Sequence, residues 1–135
     1  MTGVAVRPDP DSQYFWDAAA SDTLVGQACA VCSRFRLPPR EHCPDCHAAA
    51  PLWRPLDRRG TVMGAVVLHR PFDEAFADLI PLMIAHVEID GTDGRMVLIG
   101  NLAPAIPVDQ AIGRRVAVTF AEWAGARLPS FILED

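Results

Sequence analysis

Four cysteines in two pairs constrain this chain more than any other feature. Cys29 and Cys32 form one C-x2-C pair and Cys43 and Cys46 a second, with ten residues between the pairs. Two intervening residues let one tight turn aim both sulfurs of a pair at a single point. Two such turns supply the four thiolates of a tetrahedral site, which saturates zinc and leaves no open position for chemistry. The pattern predicts one structural Zn2+ per chain, held by Cys29, Cys32, Cys43 and Cys46. The segment between the pairs holds Pro38 and Pro39 and is too short and too proline-broken for a helix; a short strand and a turn fit it. A ribbon of about 25 residues cannot bury enough apolar surface to fold alone, so the binding energy of the metal has to become folding energy.

Other chemistries use the same residues. Iron in a rubredoxin-like site has the same four-sulfur geometry. Disulfides are rare in the cytosol, and that is the expected compartment: Met1 to Pro10 shows no basic region followed by an apolar run, so no export signal is expected. Cys43-Pro44-Asp45-Cys46-His47 spells the C-x-x-C-H of c-type haem attachment. That reading leaves Cys29 and Cys32 without a role. His42 and His47 read as loop residues.

The flanks of the ribbon differ in kind. A leader with Pro8 and Pro10 precedes a short helix that starts at Asp11 or Ser12, either of which can cap it, and stops near Asp22. Tyr14, Phe15 and Trp16 are adjacent and cannot share one helix face, because neighbours lie about 100° apart. From residue 58 onward the pattern turns to strands at 60–70, 83–90, 95–100, 115–123 and 130–134, with a hairpin signal at Gly91-Thr92-Asp93-Gly94. Five short strands suggest a small closed barrel, and the OB-fold has that count. The expected fold is mainly β: residues 1–26 as leader and aromatic helix, 27–55 as a rubredoxin-like zinc ribbon, and 56–135 as a five-stranded OB-fold barrel.

Charge narrows the partners. All 12 basic residues are arginines, against 17 acidic ones, for a net charge of −5. An acidic chain repels a phosphate backbone unless its basic residues cluster strongly, so nucleic acid is a poor expected partner. No stretch approaches the roughly 20 apolar residues of a membrane helix.

The order of landmarks is more specific than any one of them. Phe15-Trp16 precedes Leu24-Val25-Gly26-Gln27-Ala28-Cys29-Ala30-Val31-Cys32; then come Pro38-Pro39-Arg40, Cys43-Pro44-Asp45-Cys46, Trp53 and Gly60-Thr61-Val62. Over roughly residues 13–134 this resembles the DUF35 family, OB-fold proteins associated with acyl-CoA that carry an N-terminal zinc ribbon. The resemblance implies a non-catalytic accessory subunit of a thiolase-superfamily enzyme, whether thiolase, synthase or thiolase-like aldolase. It would support acyl-CoA binding and the stability of the complex. A heterotetramer is the implied assembly, and degradation of a steroid or other bulky acyl-CoA side chain a possible setting. A MaoC-type enoyl-CoA hydratase is the alternative partner. A nucleic-acid module is a further alternative, since zinc ribbons and OB-folds both occur in such proteins.

Beyond the cysteines, two groups of residues are candidates. Arg34, Arg36 and Arg40 form a basic cluster on the ribbon, and a guanidinium can bind phosphate bidentately. They are candidate contacts for acyl-CoA phosphates, against the alternative of an exposed polar face with surface ion pairs. Tyr14, Phe15, Trp16, Phe72 and Phe76 are candidate partner-interface anchors, since aromatics are enriched at interface cores. The alternative for each is packing within the chain. His69 and His86 sit in or beside strands and read as structural. No catalytic constellation is recognised, and the expected chain is not catalytic alone.

Overall fold

The computed structural model describes residues 5–71 and 73–134. Its first element is helix α1, Gln13–Ala20. Ser12 occupies the N-cap position, but its side chain makes no bond to the first helical turn. It is engaged one turn earlier: Asp9 N donates to Ser12 Oγ at 3.2 Å, and Ser12 N donates to Asp9 Oδ1 at 2.8 Å. The three adjacent aromatics point three ways. Tyr14 stacks on Trp53 with ring centroids 5.1 Å apart. Phe15 turns into the core, edge-on to Phe120 at 6.3 Å, and Trp16 lies half-buried against that core.

Three short strands follow: β1 (Val25–Cys29), β2 (Phe35–Arg36) and β3 (Pro51–Pro55). They form an antiparallel sheet in the order β2-β1-β3. The central strand β1 is buried at every position. Neither β1 nor β3 is expected from periodicity. Pro51 and Pro55 bound a strand at the sheet's edge, where a missing N–H breaks no ladder.

Five longer strands close a barrel: β4 (Arg59–Leu68), β5 (Leu82–Ile89), β6 (Val97–Ala103), β7 (Arg115–Trp123) and β8 (Ala126–Leu133). Their order is β4-β5-β6-β8-β7, and β7 pairs back onto β4. Only β6 and β8 run parallel. This is the OB-fold arrangement anticipated from the strand count. A 3-10 turn, Glu74–Leu79, lies between β4 and β5, and a four-residue helix α2, Val108–Ala111, between β6 and β7.

Alternation along the strands sends one set of side chains inward. On β5, Met83, Ala85, Val87 and Ile89 are buried, while His86 between them is exposed. The ribbon has no separate core. Phe15, Ala19, Leu24 and Val25 belong to the same apolar cluster as the barrel residues Val62, Met96, Val118 and Phe131. At the seam, a Cβ added to Gly26 would stand 2.6 Å from Met96 Sδ and 2.9 Å from Leu56 Cδ1. A side chain at residue 26 would have to displace these side chains for strand β1 to lie as close to the barrel. Arginines reinforce the seam: Arg58 Nη1 donates to Asp22 O at 2.8 Å and its Nε to Val118 O at 2.9 Å. Arg127 pairs with Asp22 and donates to Ala19 O. Among the described residues no helix is long and apolar enough to cross a membrane.

Candidate functional site

The two C-x2-C pairs fold as copies of one turn. In the first, Ser33 N donates to Cys29 O at 2.8 Å and Cys29 N to Arg34 O at 3.0 Å. In the second, His47 N donates to Cys43 O at 2.9 Å and Cys43 N to Ala48 O at 2.9 Å. Ser33 and His47, each one residue past its pair, both adopt left-handed backbone, with φ of 68° and 69°. His47 is therefore the counterpart of Ser33 in a metal knuckle, which gives its place in C-x-x-C-H a structural reason unconnected with haem.

These turns aim backbone amides at sulfur. Val31 N donates to Cys29 Sγ at 3.4 Å, and Asp45 N to Cys43 Sγ at 3.4 Å. The four Sγ atoms all lie within 4.8 Å of one another, with Cys29 to Cys46 and Cys32 to Cys43 each 3.6 Å. A tetrahedron with Zn–S bonds of about 2.3 Å has edges of about 3.8 Å. The quartet thus fits one zinc ion, with four thiolates and no open coordination position. It is a structural site, as its spacing predicts.

As thiols, Cys29, Cys43 and Cys46 are shifted in different directions. The Cys46 N–H holds the Cys43 thiol down to about 6, against burial, with Asp45 N–H and the Cys32 and Cys46 thiols acting in the same direction. The Cys32 N–H lowers Cys29 likewise, again against burial and with help from Val31 N–H. Cys46 is pushed up to about 11: the Ala48 amide lowers it, but desolvation and the thiol contacts with Cys29, Cys43 and Cys32 outweigh that. Amides that favour thiolate favour metal binding, because zinc takes the deprotonated form.

Arg34, Arg36 and Arg40 differ in exposure: Arg36 is buried and the other two are exposed, while Arg36 and Arg40 line one cavity with Arg95. Arg36 is 3% exposed. Its Nε donates to Gln27 Oε1 at 2.7 Å and its Nη2 to Arg40 O at 2.8 Å. Gln27 Oε1 also accepts Arg40 N at 2.7 Å. Arg36 thus closes the loop after β2 from inside, while its Nη1 is buried without a hydrogen-bond partner among the described residues. Arg34 and Arg40 are exposed, and Arg34 pairs with Asp45 at 3.5 Å.

The aromatic candidates separate in the same way. Phe15 and Phe76 are 6% and 4% exposed and are packed inside the chain, so burial removes both as free anchors. Phe72 lies outside the described residues. Tyr14 remains 53% exposed and Trp16 half-buried. The sequence reading missed Arg95, on the turn between β5 and β6. It pairs with Asp45 inside the second cysteine knuckle and donates to Phe35 O at 3.2 Å. The hairpin signal at residues 91–94 marks this turn, but nothing in it reveals what the turn touches. An apolar cleft beside β6 and β8 was likewise not anticipated.

Known proteins share this arrangement. Residues 16–51 match the family model described as the ChsH2 rubredoxin-like zinc ribbon domain, and residues 53–121 match the ChsH2 C-terminal OB-fold domain. The solved structure described as an Ltp2-ChsH2(DUF35) aldolase superposes with a TM-score of 0.81 at 30% identity, covering 94% of this chain and 98% of that one. A DUF35 protein of unknown function from Sulfolobus solfataricus superposes with a TM-score of 0.64 at 16% identity, over 93% and 86% of the two chains, a likeness of fold alone. A protein of Thermomonospora curvata described as a probable enoyl-CoA hydratase alpha subunit is 34% identical over 124 residues. That match takes in 87% of this chain but only 37% of the relative's length.

Proposed function

The chain belongs to the ChsH2 family, a zinc ribbon followed by an OB-fold of the DUF35 type, and on that premise we propose that it is a non-catalytic accessory subunit of a thiolase-superfamily enzyme. The observation that carries this reading is the near end-to-end likeness to the chain from the Ltp2-ChsH2(DUF35) aldolase. In the proposed complex the partner supplies the catalytic groups. This chain supports acyl-CoA binding and holds the partner in its active form, in a heterotetramer acting on a steroid or other bulky acyl-CoA. Its zinc ribbon has a structural role, consistent with a quartet that leaves zinc no open position. Tyr14 and Trp16 retain exposed surface and are the proposed docking aromatics, and the exposed Arg34 and Arg40 are the proposed phosphate contacts.

A second reading has its own observation. The curated relative is described as a probable enoyl-CoA hydratase alpha subunit, and this chain spans about a third of its length. On that reading the partner is a hydratase of the MaoC type, and the acyl-CoA setting stays the same.

The test is affinity capture of the tagged chain from its native host, read by mass spectrometry. Stoichiometric recovery of a thiolase-superfamily subunit is the expected result and names the reaction to assay. Recovery of a hydratase moves the chemistry to hydration. Recovery of the chain alone, or of nucleic acid that elutes with salt, overturns the accessory-subunit reading.

A further inference from the structure

The barrel is not closed over its full height. β6 begins at Val97 and β8 at Ala126, yet they share only three parallel pairs: Asn101 with Ser130, Leu102 with Phe131, and Ala103 with Ile132. Before that junction no ladder joins them, although they still abut where a Cβ on Gly100 would stand 2.6 Å from the Pro129 carbonyl oxygen. Val97–Gly100 pairs with β5 alone and Ala126–Pro129 with β7 alone. A cleft of about 360 Å³ opens into this fork. The two strands line it with Val97, Ile99, Leu128 and Pro129, and α1 adds Phe15 and Trp16.

Polar groups are few, one at the junction and one toward the open end where Trp123 pairs with Ala126. Asn101 sits where the two strands first pair; it is buried, lines the cleft, and donates from Nδ2 to Ser130 Oγ at 2.9 Å. With one N–H given to Ser130, the Asn101 amide keeps a second N–H and its Oδ1 for an incoming hydroxyl or carbonyl oxygen. Trp123 lines the same cleft, and its buried indole N–H has no acceptor among the described residues. A concave apolar site of roughly 300–1,000 Å³ with a small number of placed polar groups is the usual form of a small-molecule pocket.

The fork could instead accept a peptide strand, because it leaves two strand edges unpaired. Pro129 speaks against that. Proline is tolerated in a sheet at an edge, which is what the fork makes of β8 here, and it blunts that edge against an added strand. The carbon-lined walls do not need a ladder partner.

We propose that the fork between β6 and β8 is a binding site for the apolar body of a small ligand, a chain or ring system carrying a hydroxyl or carbonyl oxygen at its buried end. Identifying that body with the acyl portion of the partner's substrate rests on the accessory-subunit reading; the site itself does not.

Octanol, an apolar chain with one hydroxyl, tests the proposal on the full zinc-loaded chain. Saturable NMR shifts are expected at the methyls of Ile84, Ile99 and Leu128, which line the cleft. The methyls of Val66 and Ile132, exposed elsewhere on the barrel, should stay still. Ile99 is 57% exposed, so Ile99→Trp is expected to fold normally, fill the fork and weaken octanol binding by about tenfold or more. Val66→Trp, at an equally exposed position outside the cleft, should bind octanol like the parent. Shifts that do not saturate, or that spread equally to Val66 and Ile132, overturn the proposal. So does an Ile99→Trp chain that folds and binds octanol like the parent. If a captured partner subunit displaces octanol by seating its own side chains in the fork, the site is a protein-docking pocket and the small-ligand proposal falls. Failure to capture a partner would leave the octanol isotherm unchanged, so the two readings fail separately.

Discussion

Arg34 and Arg36 stand two residues apart and are chemically identical, yet their surroundings give them opposite weight. Arg34 is an exposed partner of Asp45, and such pairs are worth about 0–1 kcal/mol. Arg36 is buried, with charged hydrogen bonds to Gln27 and to the Arg40 carbonyl. Hydrogen bonds to charged groups contribute about 1.5–3 kcal/mol, and removing one partner strands the other. Arg36→Ala should therefore lower the denaturant midpoint by an amount equivalent to about 1.5–3 kcal/mol, while Arg34→Ala shifts it by less than about 1 kcal/mol. Equal effects would mean that the Gln27–Arg36–Arg40 network does not hold the loop. The cysteine quartet could be read from spacing alone, because each knuckle is a local turn that brings its own sulfurs together. The burial of Arg36 could not. It depends on Gln27 standing opposite Arg36 across β1 and β2, a pairing between segments whose strands are too short to show a period.

At the scale of elements, the barrel strands showed as β-prone runs, and β7 by clean alternation, but β8, expected at 130–134, starts at Ala126 and runs through Pro129, and the shorter elements did not show. α2 spans four residues, far fewer than the roughly 11–18 over which a helical repeat shows itself. β3 was hidden by the two prolines that bound it. Glycines report the strand packing in a way the sequence pattern cannot. Gly60 and Gly64 both lie on β4 and look alike in sequence. A Cβ on Gly60 would stand 2.5 Å from the carbonyl oxygen of Glu88 on the paired strand, and backbone cannot swing aside as a side-chain tip can. A Cβ on Gly64, just past the register shift after Val62, meets nothing within 4 Å. Gly60→Ala should destabilise by about 1–3 kcal/mol, the usual cost of overpacking. Gly64→Ala should be neutral or stabilising by up to about 1 kcal/mol, because alanine loses less backbone freedom on folding. Chemical denaturation of the two variants checks both; a tolerated Gly60→Ala would show that β4 and β5 can separate locally at this crossing.

For the whole molecule, the question is whether zinc stabilises a ribbon or the entire chain. The contacts favour the chain. Strand β1 and the residue before it contribute Val25 and Leu24 to the barrel's own core, the ribbon's Phe35, Leu37 and Trp53 pack against it, and Gly26 abuts Met96. Arg95 links Asp45, within the second knuckle, to the turn that joins β5 and β6. Metal that binds the native chain and not the unfolded one stabilises it in proportion to the logarithm of free zinc. If ribbon and barrel unfold together, the melting temperature of the whole chain should rise with free zinc in a single transition. Mild chelation should then speed amide exchange first in the knuckles and at Arg95 and Met96, across the Asp45 link. Amides of the Leu68–Leu82 pair, at the other end of the β4–β5 ladder, should stay protected until global unfolding. Arg95→Ala removes the link while leaving all four cysteines in place, so chelation should then spare the β5–β6 turn. Two separate melting transitions, only the lower one responding to zinc, would mean that the shared core does not couple the halves and that zinc holds the ribbon alone.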